Sequence, residues 1–89
     1  MKVVRISAIW CMSCLVMKKR YDEFFKSFDI DQVLDLDFDE DDIETYQVGN
    51  ILPLVIFYQD QKEVLRIVGE KSKKELNQLS NQYLSVFKC

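Results

Sequence analysis

Trp10-Cys11-Met12-Ser13-Cys14 decides how this chain is read, because of what stands on either side of it. Before it runs Val3-Val4-Arg5-Ile6-Ser7-Ala8-Ile9, a β-branched and mostly apolar run of strand length. So little polar alternation suits a strand covered on both faces. After it, from Met12 to about Phe28, the residues Cys14, Met17, Tyr21, Phe24, Phe25 and Phe28 recur at steps of three and four, while Lys18, Lys19, Asp22, Glu23 and Lys26 take the other side. That is the pattern of an amphipathic helix. The two cysteines therefore sit where the first strand hands over to the first helix, a placement that reads as a redox pair. On a first helical turn their sulfurs can approach bonding distance. Cys11 lies at the helix N-terminus, where unpaired backbone N–H groups and the positive end of the dipole favour a thiolate. Cys11 is the expected attacking thiol and Cys14, one turn inward, the resolving one.

Working outward, Leu34-Asp35-Leu36-Asp37-Phe38-Asp39 alternates strictly, with apolar side chains on one face and carboxylates on the other, a strand with one wetter face. Glu40–Val48 reads as a short helix with Asp39 as its cap, stopped by Gly49-Asn50. Leu52–Tyr58 and Glu63–Val68 are apolar strands whose polar connection, Gln59-Asp60-Gln61-Lys62, is short enough for an antiparallel hairpin. The last helix opens at Ser72, with Glu75 three residues on as a capping box, and carries Leu76, Leu79, Tyr83 and Phe87 at helical spacing. The order is β-α-β-α-β-β-α. Right-handed crossovers make the first two strands parallel and lay the helices on the sheet. An α/β domain with a mixed four-stranded sheet flanked by three helices is expected.

Eighty-nine residues suffice for one core, so 1–89 is expected to be a single domain. A net charge of −3 gives no general attraction to phosphate backbones or anionic lipid, which argues against nucleic acid and membrane surface as partners. No uncharged apolar run reaches the roughly 20 residues of a spanning helix, and Met1-Lys2-Val3-Val4-Arg5-Ile6 has no signal-peptide pattern. A cytoplasmic monomer is expected. Histidine is absent, which removes the commonest general base and zinc ligand and excludes Ser-His and Cys-His nucleophile pairs. Three cysteines cannot close into pairs, so Cys89 is expected to be a free thiol on the C-terminal tail.

At this point the chain resembles the thioredoxin family. Trp10-Cys11-Met12-Ser13-Cys14 is similar to that family's W-C-x-x-C active site, and Ile51-Leu52-Pro53 to its proline loop, whose cis peptide faces the disulfide. Gly69 follows Pro53 by sixteen residues, and Ser72 opens the last helix three later, as in thioredoxins. The resemblance spans about Val3 to Leu84. It implies the thioredoxin fold in a minimal form, because only ten residues precede Cys11. It also implies exchange of a Cys11–Cys14 dithiol with protein disulfides, contributing to cell redox homeostasis. Trp10, Met12, Leu52 and Pro53 would then form the substrate-binding rim, joined by Ile9 and Leu15. The partners would be protein disulfide clients and a reductase or oxidant. No cofactor is expected.

The chain also departs from that family. Met12-Ser13 replaces Gly-Pro, and Gly69 stands alone where glutaredoxins carry a glycine pair for glutathione. Arg5 occupies the place of the buried acid six residues before the nucleophile, and Asp35 that of a lysine on the next strand. A charge in a covered strand must be paired, so two arrangements are expected equally: Arg5 and Asp35 face each other across parallel strands as a charge-swapped proton relay beneath Cys14, or Asp37 or water satisfies Arg5 while Asp35 points to solvent. The alternative function is a metal-binding or metal-transfer domain using the same two thiolates. Zinc, however, needs four ligands, and Cys89 is the one further thiol. The row Asp35, Asp37, Asp39, Asp41, Asp42 supplies neither the glycine nor the terminal glutamate of a calcium loop and reads as a solvated face.

Overall fold

The computed structural model describes residues 1–26, 28, 30–41, 43–49 and 51–87. Asp42, Asn50 and Cys89 lie outside the described residues, as do the side chains of Tyr83 and Phe87 on the last helix. Val3, Val4 and Ile6 are wholly buried, which forces their strand, β1 (Lys2–Ser7), into the middle of the sheet. Its neighbours are β2 (Gln32–Asp37), parallel, and β3 (Leu54–Gln59), antiparallel; β4 (Lys62–Val68) pairs antiparallel with β3 at the far edge. The spatial order is β2-β1-β3-β4. In this register Arg5 stands opposite Asp35 on one side and Val55 on the other.

Alternation along β1 divides the apolar residues between two faces. Val3 joins Val55, Phe57, Leu65 and Ile67 under α1 (Met12–Phe25) and α2 (Lys73–Phe87). There Phe57 is ringed by Phe24, Phe25 and Phe28 at centroid separations of 5.9, 5.8 and 5.3 Å. Each such pair adds about 0.5–1.5 kcal/mol to the burial of its area. Val4, Ile6, Leu54 and Ile56 face the other way and pack with Leu34, Leu36, Phe38, Ile43, Tyr46 and Val48 from β2 and the chain that follows it.

That following chain departs from expectation. In place of a helix over Glu40–Val48 there is one 3₁₀ turn, Glu44–Tyr46, ending at Gln47 with φ of 53°. The described residues thus form two α-helices rather than three. The cause lies in the aspartates. Asp37 Oδ1 accepts the backbone N–H groups of Asp39 at 2.8 Å and Glu40 at 3.3 Å, and Asp41 Oδ2 accepts that of Asp37 at 2.7 Å. Short acidic side chains that bond nearby backbone fold the segment into turns and compete with the helical ladder. Asp39, the expected cap, is turned to Trp10 instead.

Other boundaries move by a residue or two. The second strand begins at Gln32 and ends at Asp37, before Phe38, and the first helix stops at Phe25. The hairpin is tighter than expected, because Gln59 and Lys62 pair and leave Asp60 and Gln61 alone in the turn with φ of 53° and 67°. Two positive φ values in a two-residue loop match the right-handed twist of the flanking strands. Ser72 caps α2, its Oγ accepting the Glu75 N–H at 3.1 Å. Among the described residues no helix is long and apolar enough to cross a membrane.

Candidate active site

β1 delivers the chain to Ala8, and the Cys11 N–H donates to the Ala8 carbonyl at 3.1 Å, closing a turn that sets Cys11 as the N-cap of α1. An N-cap side chain accepts a free backbone N–H of the first turn. Here the acceptor is sulfur: Cys11 Sγ takes the N–H of Cys14 at 3.3 Å. The same sulfur lies 3.9 Å from the Leu52 carbonyl oxygen, to which its thiol donates. The Leu52–Pro53 peptide is cis. Pro53 is tied in turn to the start of the last loop, its carbonyl accepting the Gly69 N–H at 2.9 Å. Gly69 has φ of +81°, and a Cβ there would stand 3.1 Å from Ile51 Cγ2, so glycine lets the loop close against Ile51.

The two thiols differ in their surroundings. Cys11 is half-buried, whereas Cys14 is 6% exposed among Val4, Ile6, Ala8 and Leu54. Burial, and then the neighbouring Cys11 sulfur, push the Cys14 thiol up to about 11, partly offset by the Ala8 backbone. Cys14 therefore holds its proton at neutral pH. Among the described residues no group of three or more His, Cys, Asp or Glu side chains is placed to hold a metal ion.

An N-capping cysteine, a buried second cysteine one turn on, and a cis-proline loop against the first sulfur all stand at the end of a central strand. Comparison with known proteins agrees with that arrangement, as the family described as Thioredoxin matches residues 1–82. The chain belongs to the thioredoxin family. Membership supports thiol–disulfide oxidoreductase chemistry at the level of the family. Thioredoxin 1 from the thermophilic eubacterium Thermosipho africanus has a TM-score of 0.79 at 23% identity, with 100% of each chain covered. A malarial protein gives a TM-score of 0.74 at 23% identity over 93% of this chain and 96% of its own. Trxlp from Edwardsiella tarda gives 0.73 at 24% identity over 91% and 79%. At these identities the likeness is one of fold. No curated protein matches the chain.

Around the thioredoxin-like pair the structure exposes Ile9, Trp10 and Met12, with Leu15 and Val16 continuing the apolar surface along α1. Trp10 is braced, its indole N–H donating to Asp39 Oδ2 at 2.6 Å and its ring meeting Phe38 edge-on at 6.1 Å. One expected rim member is corrected. The Leu52 side chain is only 7% exposed and belongs to the core with Ile6 and Leu54, whereas Ile51 is 61% exposed. Leu52 meets the site through its carbonyl oxygen, while the exposed side chain of this loop is that of Ile51. The resemblance supplied the loop, and not the direction of each side chain along it.

Arg5 and Asp35 are brought together. Arg5 Nε donates to Asp35 Oδ1 at 2.6 Å and Nη2 to Oδ2 at 3.3 Å, a two-pronged pair. Asp22 of α1, which the sequence reading passed over, takes Nη1 at 2.8 Å, and the guanidinium lies 5.5 Å from the Phe25 ring centroid. The only signal for Asp22 was its place beside Tyr21 and one turn before Phe25, at the margin of the buried face. Burial acts to lower the Arg5 pKa, but hydrogen bonds and charge from Asp35 and Asp22 outweigh it and leave the value raised. A cavity of about 250 Å³ is lined by Arg5, Asp35, Cys14, Lys18, Tyr21 and Pro53, among others, and so borders both the ion pair and the buried thiol.

Proposed function

We propose that this protein is a protein-disulfide oxidoreductase in which Cys11 attacks and Cys14 resolves. Cys11, as thiolate, attacks one sulfur of a client disulfide; that bond breaks, a Cys11–client mixed disulfide forms, and the first client thiolate leaves. Cys14 then loses its proton and attacks Cys11 Sγ, so that the mixed disulfide breaks, the second client thiolate leaves, and Cys11–Cys14 is oxidised. Two electrons pass to the client, and a dithiol reductase restores them. The observation that carries this reading is the unequal pair itself, a half-buried N-capping Cys11 in front of a buried, protonated Cys14.

Clients dock on Ile9, Trp10, Met12 and Ile51, with Pro53 and the Leu52 carbonyl beneath. The proton of Cys14 leaves by the cavity to Asp35, which Arg5 holds in place. The Arg5 side chain is 8% exposed and that of Asp35 is 58% exposed, so the carboxylate faces both cavity and solvent. Arginine does not give up its proton, and the raised pKa of Tyr21 keeps that phenol protonated, which leaves Asp35 as the acceptor lining the cavity. Residues 1–89 act as one domain, as a monomer, in a reducing cytoplasm that returns the pair to its dithiol form.

The test is mixed-disulfide trapping with a disulfide-bonded protein substrate. Cys11→Ser should abolish turnover, and Cys14→Ser should attack once and remain covalently joined to the client. Trapping by Cys11→Ser and not by Cys14→Ser would reverse the assignment. Stoichiometric metal in protein purified under reducing conditions, with no disulfide reduction, would favour the metal-transfer alternative.

A further inference from the structure

The charges of this chain are segregated. From Ser27 to Gln61 the sequence holds no lysine or arginine, while Asp35, Asp37, Asp39, Glu40 and Asp41 fall within it. Folding turns that imbalance toward the active site, because Trp10 donates its indole N–H to Asp39 at 2.6 Å. Asp39, Glu40 and Asp41 are all exposed, on the loop that Asp39 ties to Trp10 of the apolar rim. The bonds given for this loop go to backbone N–H groups and to Trp10, and none of Asp37, Asp39, Glu40 or Asp41 has an ion pair among the described residues. On the other side of the pair, Ser13 of the first helical turn donates to a further exposed carboxylate, Glu70, at 3.5 Å. Two cations line the cavity beside Cys14: Arg5, which is paired with Asp35 and Asp22, and Lys18.

The exposed apolar rim thus lies between uncompensated carboxylates. Negative potential beside a docking surface attracts cationic partners, repels anionic ones and acts chiefly on the rate of encounter. We propose that the preferred client is a protein or peptide disulfide flanked by lysine or arginine: its apolar residues cover Ile9, Met12 and Ile51, and its basic residues pair with the Asp39–Asp41 loop. This deepens the oxidoreductase reading above and rests on it, since the occupant is the substrate of the same thiols.

The experiment uses two synthetic disulfide-bonded peptides with the same apolar residues around the cystine, one flanked by lysines and one by glutamates. An uncharged small disulfide is run beside them. Second-order rate constants for reduction by the dithiol protein are measured at low and at high ionic strength. The lysine peptide should react about tenfold faster than the glutamate peptide at low salt, the sum of a few exposed charge contacts, and the ratio should fall toward one at about 1 M salt, where the Debye length is near 3 Å. Glu40→Lys, a change at an exposed side chain, should reduce the low-salt ratio at least about threefold. Equal rates for both peptides, a preference for the glutamate peptide, or a ratio that ignores salt would overturn the inference while leaving the oxidoreductase reading intact. Failure to reduce all three probes would instead count against the oxidoreductase reading itself.

Discussion

Alkaline pH should weaken the fold through Cys14, and the size of the effect can be worked from its burial. The thiol rises from its ordinary 9 to about 11 in the folded protein, burial being the largest cause. The group is acidic and its folded value lies above its unfolded one, so the native state binds more protons than the unfolded state between them. The stabilisation is complete below about pH 9 and is lost as pH climbs through 11. Two pH units correspond to roughly 3 kcal/mol in the limit, and about half of that is already lost at pH 10. To isolate this thiol, Cys11→Ser is compared with Cys11→Ser/Cys14→Ser. Serine keeps the N-cap of α1 in both, and every other titrating group is common to both. Removing the Cys11 sulfur takes away the lesser raising causes and leaves burial, the largest, with the Ala8 backbone still opposing it. Urea unfolding from pH 7 to pH 10.5 should show the stability of the single variant falling more than that of the double variant by about 1 kcal/mol or more at pH 10. Parallel curves across that range would refute the buried-thiol account and, with it, the reason for placing Cys14 second.

Leu52→Ala should cost about 2–5 kcal/mol in urea unfolding because it empties a core position, whereas Ile51→Ala should leave stability nearly unchanged and slow reduction of a protein disulfide more than that of a small one; the reverse pattern would return Leu52 to the rim. Asp35→Asn, with fold intact by circular dichroism, should slow release of client from a preformed Cys11 mixed disulfide by about tenfold or more in stopped-flow thiol detection and flatten the pH dependence of that step. Unchanged kinetics would make Arg5–Asp35 an ion pair that joins β1 to β2 and nothing more.

The parts of this molecule that were legible in sequence are those governed by short-range period. The step from β-branched run to amphipathic helix at Cys11 placed both thiols, because strand and helix periods differ enough to mark their boundary within a residue or two. The Arg5–Asp35 contact was legible for a related reason. Parallel neighbours share side-chain direction along the ladder, and a cation in a covered strand demands a partner on the strand beside it. Elements decided by side chains bonding backbone were not legible. Glu40–Val48 has helical spacing and acids suited to a first turn, yet Asp37 and Asp41 spend their carboxylates on nearby N–H groups and fold the segment otherwise. A propensity that counts acids near a helix start cannot tell a cap from a competitor, since the same oxygen does both. That Leu52 is buried and Ile51 exposed was not legible for the same kind of reason, because the backbone of the proline loop decides which of two adjacent apolar residues points inward. The misread acidic segment reaches the active-site turn, where the Asp39 carboxylate is turned toward Trp10 instead of closing a helix. A site that must present polar groups to a client takes them from regular structure, so local pattern is least informative beside the chemistry it surrounds.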